Sequence, residues 1–359
     1  MGQRVMIMAG GTGGHVFPAL AVAEELRTRG MELFWLGTPN SFESRLVPEA
    51  GISMEWIDLQ GLRGTGLRRW LAAPFKLTGA MVQVLRVLRR RRPDVVLGMG
   101  GFVSGPGGVM ARLMGIPLVI HEQNAIPGMT NQWLSRIASR VLEAFPGSFA
   151  AERQAQWVGN PVRAEIAALP APAERMAGRE GALRLLVLGG SLGAQVLNET
   201  LPAALAKMAV DRRPQVRHQA GRGKDEATRA AYITAGVEVD VQPFVADMAE
   251  AYGWADLVIC RAGALTVSEL AAAGVAALFV PYPHAVDDHQ TRNAAFLCDQ
   301  GAARLLSQGE LNIESLSACL SELLADRKPL QQMAEQARTL AQPASTRRVA
   351  DVCEEMSNR

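Results

Sequence analysis

The chain of 359 residues has no Cys-x-x-Cys pair, and its four cysteines, at positions 260, 298, 319 and 353, lie far apart. Zinc ribbons and disulfide frameworks need closely spaced or patterned cysteines, so neither is expected, and the pattern favours a reducing, cytoplasmic compartment. The chain also has no Asp-x-Asp sequence with which paired carboxylates could hold a divalent cation. We therefore expect no metal and no other cofactor.

The sequence also lacks a long apolar run. A long uncharged stretch, between Asp94 and Arg112, contains six glycines and Pro106, which suit loops better than a membrane-spanning helix. Neither sign of charge dominates, since 37 Lys and Arg face 35 Asp and Glu. This balance gives no general reason to expect a nucleic acid partner. An apolar content of 48% in 359 residues predicts about two folded domains.

Short apolar runs alternate with amphipathic stretches along most of the chain, which predicts parallel sheets covered by helices. The predicted strands span residues 5–8, 33–36, 54–57, 95–97, 118–120, 185–188, 216–218, 237–241, 257–260 and 277–280. The clearest predicted helices span residues 18–29, 76–91, 194–208, 224–235 and 265–273.

One pattern occurs twice. Residues 5–14 read VMIMAGGTGG and residues 185–193 read LLVLGGSLG, each an apolar strand followed by a glycine loop and a helix. The repeat predicts an α/β protein with two Rossmann-like, doubly wound parallel-sheet domains. We place the domains at residues 1–160 and 161–343, followed by a C-terminal helix at 344–359 that could pack back on the first domain.

The first glycine loop, residues 10–14, is followed by His15. Glycines between a strand and a helix let backbone N–H groups approach an anion, and His15 in the first helical turn is a candidate general base. A plain tight turn capped by the histidine is the alternative. In the second loop, Ser191 is a candidate phosphate contact, with helix–strand packing as its alternative.

Three further polar clusters follow predicted strands. Residues 261–269 read RAGALTVSE, where a helix start could bind a diphosphate and Glu269 a ribose diol, unless Glu269 caps the helix. Residues 121–124 read HEQN, which indicates either a ligand site or buried structural hydrogen bonds. Residues 281–293 contain Tyr282, His284, Asp287, Asp288 and Gln290, which suit either sugar recognition or an N-cap.

A basic segment lies between Asp58 and Asp94, with nine Lys and Arg residues and no acid. Its segment 70–75, which begins at Trp70 and ends at Phe75, is the best candidate for contact with an anionic membrane surface. Leu77, Met81, Leu85 and Leu88 form a helical stripe that we expect in the core. RNA binding is less favoured, because no RNA-binding motif accompanies the charge.

Together these motifs resemble the MurG family of cell-wall glycosyltransferases. The resemblance rests on AGGTGGH at 9–15, GGFVSGP at 100–106, HEQN at 121–124, GNPVR at 159–163, GGSLGA at 189–194, RAGALTVSEL at 261–270 and DHQTRNA at 288–295. It implies the GT-B arrangement, in which two Rossmann-like domains face a cleft. In the last motif, His289 stands where the family tends to have a second glutamine.

The resemblance also implies an activity. Such enzymes move N-acetylglucosamine from UDP-GlcNAc to the C4 hydroxyl of the muramic acid of lipid I, with inversion, which gives lipid II and UDP in peptidoglycan synthesis. Expected partners are UDP-GlcNAc, lipid I, an anionic membrane surface and other cell-wall synthesis proteins, with a peripheral location on the cytoplasmic face of the inner membrane. No nucleic acid is expected.

Site residues carry over by motif. Catalytic candidates are His15, as first choice of base, and Glu122, as second. The implied substrate contacts are Thr12, Gly13, Gly14, Asn124, Arg163, Ser191, Phe244, Ala264, Leu265, Thr266, Val267, Ser268, Glu269 and Gln290. Two other functions stay open: a UDP-GlcNAc 2-epimerase, which shares the architecture and needs no lipid acceptor, and a non-enzymatic nucleotide-sugar sensor or scaffold at the membrane.

Overall fold

The computed structural model describes residues 2–59, 67–190, 193–283 and 286–359, and at residues 67–75 and 286 the description covers the backbone. The chain divides into two compact units. The first contains Met1–Val162 and Gln342–Arg359, and the second contains Arg163–Ala341. These limits lie within two residues of the domain boundaries at 160/161 and 343/344 placed from the sequence.

The first unit is built on a seven-stranded parallel sheet. Its strands are β1 (Arg4–Met8), β2 (Glu32–Gly37), β3 (Ser53–Trp56), β4 (Val95–Gly98), β5 (Leu118–Glu122), β6 (Arg140–Glu143) and β7 (Gln156–Trp157). They lie in the order β3-β2-β1-β4-β5-β6-β7. The chain therefore reverses its direction across the sheet between β1 and β4, which is the point where ligands bind in open parallel sheets.

Helices cover the first sheet. They are α1 (Gly13–Thr28), α2 (Glu43–Glu49), α3 (Leu67–Arg91), α4 (Ser104–Leu113), α5 (Met129–Leu134) and, from the end of the chain, α15 (Ser345–Ser357). The last helix belongs to this unit because its apolar face, with Val349, Cys353 and Met356, is buried in the core beside β1 and β4. Arg29, the C-cap of α1, also pairs with Glu354 of α15 at 2.8 Å.

The second unit repeats the plan with six parallel strands. They are β8 (Arg184–Leu188), β9 (Gln215–Gln219), β10 (Asp240–Gln242), β11 (Leu257–Cys260), β12 (Ala276–Phe279) and β13 (Ala303–Leu305), in the order β10-β9-β8-β11-β12-β13. Its helices are α6 (Ala164–Ala167), α7 (Pro172–Met176), α8 (Gln195–Ala206), α9 (Asp225–Thr234), α10 (Met248–Trp254), α11 (Ala264–Ala273), α12 (His289–Cys298), α13 (Ile313–Leu323) and α14 (Arg327–Thr339). The direction reverses between β8 and β11.

The predicted fold class, two Rossmann-like parallel-sheet domains, is confirmed. Two details were wrong. Helix α1 begins at Gly13 rather than at Pro18, so two of the loop glycines form its first turn. In α3 Leu88 is buried as predicted, but Leu77 is 39% exposed and Met81 and Leu85 are only partly buried. The buried stripe is Ala80, Val84, Val87 and Leu88. The small Ala80 and the short valines let this face of the helix pack on the sheet.

Candidate active site

Two glycine loops of the first unit meet where the sheet reverses direction. The loop after β4 carries Gly100 and Gly101, whose φ angles of 98° and 88° favour glycine. A Cβ on Gly101 would lie 2.6 Å from the carbonyl oxygen of Gly10, and one on Gly100 would lie 2.7 Å from Nδ1 of His15. The glycines of both loops are therefore needed for this close approach.

His15 is the third residue of α1 and is half-buried. Its Nδ1 lies 2.7 Å from Oε1 of Gln123, a residue of the predicted HEQN cluster to which the sequence analysis gave no role of its own. Gln123 is 1% exposed and also contacts the imidazole of His121, with 3.0 Å between Nε2 and Nδ1. The structure thus brings the first glycine loop and the HEQN segment together.

The acidic residue of the HEQN segment is fully engaged. Glu122 is 1% exposed, and its two carboxylate oxygens accept hydrogen bonds from the backbone N–H groups of Asn124 and Gly128 and from the side chains of Asn124 and Asn131, at 2.9–3.2 Å. These four donors occupy the lone pairs that a general base needs. For His121 and Glu122, the structure therefore supports the alternative of buried structural hydrogen bonds.

Glu43 is a second buried carboxylate that the sequence reasoning missed. It is 1% exposed in the first turn of α2, accepts a hydrogen bond from the Gly11 N–H at 3.1 Å, and accepts another from the Thr38 hydroxyl at 3.2 Å. The prediction that this loop offers its N–H groups to an anion is therefore wrong for Gly11. The N–H groups of Gly13 and Gly14 remain candidates, because the first turn of a helix leaves such donors without helical partners.

A cavity of about 620 Å³ opens beside this loop in the first unit. Its polar lining comes from Thr38, Asn40, Ser41, Glu43 and Asp58, together with the half-exposed ring of Phe102. Two carboxylates and several hydroxyl and amide groups, with one aromatic face, suit a ligand rich in hydroxyl groups better than one rich in negative charge.

The second glycine loop lies between β8 and α8. A Cβ on Gly189 would lie 2.7 Å from the Ala194 amide nitrogen, and one on Gly193 would lie 2.2 Å from the Ala220 carbonyl oxygen. Helix–strand packing therefore explains these two glycines. Ser191, the predicted phosphate contact, lies outside the described residues.

Glu269 and Arg163 form an ion pair in the second unit. Nε and Nη2 of Arg163 donate to Oε1 of Glu269 at 3.2 and 2.9 Å, and the Tyr252 hydroxyl donates to Oε2 at 3.2 Å. Burial raises the pKa of the Glu269 carboxyl, and Arg163 opposes that rise. Glu269 is the sixth residue of α11, beyond the first turn, and its two oxygens bond Arg163 and Tyr252, so these contacts do not support the capping interpretation. Tyr252, fully buried on α10, was not found from the sequence.

Gly263 is the N-cap of α11. The polar residues at 290 and 293 hold the loops around the start of this helix in place. Gln290 accepts a hydrogen bond from the Tyr282 N–H at 2.9 Å, and Asn293 donates to the Ala262 carbonyl at 3.1 Å. His284 lies outside the described residues. Phe244 is 49% exposed, and the guanidinium carbon of Arg222 lies 5.9 Å from the centre of its ring.

Part of the basic segment forms ion pairs within the first unit. Arg90 and Arg91 of α3 pair with Glu55, whereas Lys76, Arg86 and Arg89 are exposed. The side chains of Trp70 and Phe75 lie outside the described part of the chain. Among the residues that the structure describes, no helix is both long and apolar enough to cross a membrane. Over the same residues, no three metal-binding side chains converge, and the expectation of metal independence stays a prediction.

Comparison with known proteins agrees with this architecture. The model of the glycosyltransferase family 28 N-terminal domain matches residues 5–143, and that of the family 28 C-terminal domain matches residues 184–352. A UDP-N-acetylglucosamine–N-acetylmuramyl-(pentapeptide) pyrophosphoryl-undecaprenol N-acetylglucosamine transferase of Marinobacter nauticus is 57% identical, over 99% of this chain and 98% of its own length. The crystal structure of Acinetobacter baumannii MurG is 47% identical, covers 98% of this chain and 99% of its own, and superposes with a TM-score of 0.88.

The fold, the paired glycine loops and these matches define a two-domain glycosyltransferase. The chain belongs to the MurG family, as its motifs predicted. A UDP-GlcNAc 2-epimerase from Neisseria meningitidis superposes over 98% of this chain and 100% of its own with a TM-score of 0.68, but at 10% identity this likeness shows the fold alone.

Proposed function

We propose that this chain transfers N-acetylglucosamine from UDP-GlcNAc to the C4 hydroxyl of the muramic acid of lipid I, which yields lipid II and UDP. The observation that carries the proposal is full-length similarity to transferases named for this reaction, at 57% identity in the example above. It favours a transferase over the epimerase and over a non-enzymatic sensor, because the protein matched along its full length is named as a transferase with a lipid-linked acceptor, which neither alternative uses.

The donor is held by the second unit in this proposal. The N–H groups of Ala264, Leu265 and Thr266 begin α11 after Gly263 and suit the diphosphate, while Val267 and Ser268 continue this first segment of the helix. Glu269, one turn on, would accept hydrogen bonds from the ribose hydroxyls, and the exposed Phe244 ring offers a face to the uracil. Ser191, Gln290 and Arg163 complete the proposed set.

Arg163 has a double task under this proposal. Its guanidinium is bonded to Glu269, yet its side chain is 35% exposed, which leaves its other edge for a phosphate oxygen. As the bond between the sugar and UDP breaks, negative charge grows on the diphosphate. A guanidinium and a helix N-terminus both stabilise that charge without a metal ion.

His15 is the proposed base. It is half-buried at the glycine loop of the first unit, and a neutral imidazole can take the proton of the acceptor hydroxyl. Thr12, Gly13, Gly14 and Asn124 are the proposed sugar contacts around it. Glu122, the second candidate, has its oxygens committed to four donors and in our proposal holds the Asn124 loop in place.

We propose that hydroxyl groups of the acceptor bind in the cavity of the first unit. Its volume of about 620 Å³ admits a sugar, and its carboxylates can accept hydrogen bonds from hydroxyl groups while their charge disfavours a diphosphate. The decisive experiment supplies UDP-GlcNAc with and without a lipid-linked muramyl acceptor. The proposal expects UDP release only with the acceptor. Conversion of UDP-GlcNAc without it would instead indicate an epimerase or a hydrolase.

We further propose that the first unit contacts an anionic membrane surface peripherally, on the cytoplasmic face where its acceptor lies. Support comes from exposed Lys76, Arg86 and Arg89 beside the exposed Leu77 and Val82 on α3. Basic side chains next to apolar ones favour an anionic interface, each contributing about 1 kcal/mol. Binding to other cell-wall synthesis proteins stays a prediction without a described surface.

Vesicle sedimentation tests the membrane proposal. The protein should bind vesicles rich in anionic lipid, and binding should weaken as salt screens the charges. Arg86→Glu with Arg89→Glu should release it, whereas Arg212→Glu, an exposed arginine of the second unit, should not. Trp70→Ala and Phe75→Ala should lower turnover of a long-chain acceptor more than that of a short-chain one. Equal binding by all variants would contradict the proposal.

A further inference from the structure

A chain of hydrogen bonds inside the first unit ends at His15. Nε2 of His121 lies 2.9 Å from the carbonyl oxygen of Gly159, and Nδ1 of the same ring lies 3.0 Å from Nε2 of Gln123. Oε1 of Gln123 lies 2.7 Å from Nδ1 of His15. Because each group in such a chain donates or accepts in turn, the polarity of one end determines the other.

The polarity is set first at Gly159. A backbone carbonyl oxygen only accepts, so Nε2 of His121 must carry the hydrogen. His121 is fully buried, and burial lowers the pKa of its imidazole to about 4, so the ring is neutral near pH 7. A neutral imidazole has one protonated nitrogen, and Nδ1 of His121 is therefore the acceptor.

The amide of Gln123 is oriented by two acceptors at once. Its Nε2 lies 3.0 Å from Nδ1 of His121 and 3.1 Å from the His121 carbonyl oxygen, and each of its two hydrogens serves one of them. A flipped amide would set Oε1 against that carbonyl oxygen, where neither atom has a hydrogen. The carbonyl end of the amide must therefore face His15.

We infer that Gln123 is a positioning residue that holds neutral His15 with its hydrogen on Nδ1, so that the lone pair on Nε2 is the one that receives the acceptor's proton. The inference rests on the proposed transfer reaction. In that step the acceptor O–H bond breaks and the proton goes to Nε2 of His15. The oxygen forms the new bond to the sugar C1, and the C1–O bond to the diphosphate breaks with its electron pair leaving on UDP.

The neutrality of the glutamine matters for this role. A carboxylate in its place would favour the imidazolium and leave less free base near neutral pH. An amide orients the His15 ring without that charge. His121, the other titratable group in this series of hydrogen bonds, is neutral. Gly100 contributes by packing on the ring, since a Cβ there would lie 2.7 Å from Nδ1.

The test reads the tautomer directly by NMR with ¹⁵N-labelled histidine, since the chain has only five histidines. The His15 signals are identified by their loss in His15→Gln. In the unaltered protein at pH 8, the inference expects a protonated Nδ1 and a pyridine-like Nε2 at His15. The opposite tautomer would overturn it without the need for any variant.

Two variants extend the test. Gln123→Met keeps the side-chain length but removes all three hydrogen bonds of the amide, so the His15 tautomer should move toward Nε2–H. The kcat should fall about 10–100-fold, the range for losing a group that orients a metal-bound imidazole. Gln123→Glu keeps the acceptor, so the acid limb of the kcat profile should move to higher pH. An unchanged tautomer in Gln123→Met would overturn the inference, whereas full activity in His15→Ala would instead overturn the proposed base.

Discussion

Replacement of Glu269 should separate two consequences of one carboxylate, namely the stability of the second unit and the binding of the donor. In Glu269→Ala the Tyr252 hydroxyl, which is fully buried, loses the carboxylate that accepts its hydrogen bond at 3.2 Å. A buried polar group left without a partner costs about 1–3 kcal/mol of unfolding free energy. Loss of the ion pair with Arg163 should lower the unfolding free energy by less, because the Arg163 side chain is 35% exposed and water can solvate it.

Because Tyr252 is bonded to Glu269, the effect of Tyr252→Phe on the unfolding free energy should change sign between the unaltered protein and Glu269→Ala. In the unaltered protein, Tyr252→Phe removes a satisfied hydrogen bond to a carboxylate and should cost about 1.5–3 kcal/mol. In the Glu269→Ala background the same change removes the unsatisfied hydroxyl, so it should raise the unfolding free energy by about 1–3 kcal/mol. Urea unfolding of the four proteins measures this cycle.

Donor affinity should follow a different pattern. Loss of hydrogen bonds to the ribose should weaken UDP binding by about 1.5–3 kcal/mol in Glu269→Ala, and Tyr252→Phe should not restore it. Glu269→Gln is the matched control, since its amide can still bond Tyr252. If Tyr252→Phe destabilises both backgrounds equally, the Tyr252–Glu269 contact does not have the stated role. Unchanged UDP binding in Glu269→Ala would remove Glu269 from the donor site.

Three further outcomes are expected. His15→Ala should lower kcat by about 10²–10⁴-fold with little change in UDP-GlcNAc affinity, and a near-normal kcat would refute the proposed base. Activity should survive exhaustive EDTA treatment, and a loss restored only by Mg²⁺ or Mn²⁺ would show that α11 and Arg163 do not suffice. Burial lowers the pKa of His218 to about 4 from its ordinary 6.5, so the unfolded chain binds more protons between these values. The unfolding free energy should therefore decrease as the pH is lowered through that window, and at pH 5 it should be about 2 kcal/mol below its value at neutral pH. His218→Gln should flatten this slope in urea titrations.

The sheets could be predicted largely because buried parallel strands are short and almost wholly apolar. Strands β1, β4, β8 and β11 show that composition and were found. The strands that were missed lie at or near the sheet edges, where one side is less covered. Strand β7 has only two residues, both exposed, and β13 contains the exposed Arg304, so neither carries an apolar run.

Partners of the site residues could not be predicted because they are distant in the chain. Gln123 lies 108 positions from His15, and Glu269 lies 106 from Arg163. Tyr252 and Glu43 stand in ordinary helical segments, and nothing local distinguishes them from other helix residues. Only the packing of α10 against α11, and of α2 beside the first glycine loop, reveals which polar groups meet.

The two base candidates, which the sequence ranked with His15 first and Glu122 second, differ in how the structure engages the atoms that would accept a proton. His15 comes after β1, at the reversal point of the first sheet, and Glu122 ends β5, which pairs with the other side of β4; both residue types can accept a proton. Glu122 has four donors on its two oxygens, so protonation would cost hydrogen bonds that hold the Asn124 loop. His15 has one nitrogen bonded to Gln123 and is half-exposed, so its other nitrogen can gain a proton without breaking that bond. A base must accept a proton and give it up in every turnover, and the histidine is the candidate that can do so while its surroundings stay in place.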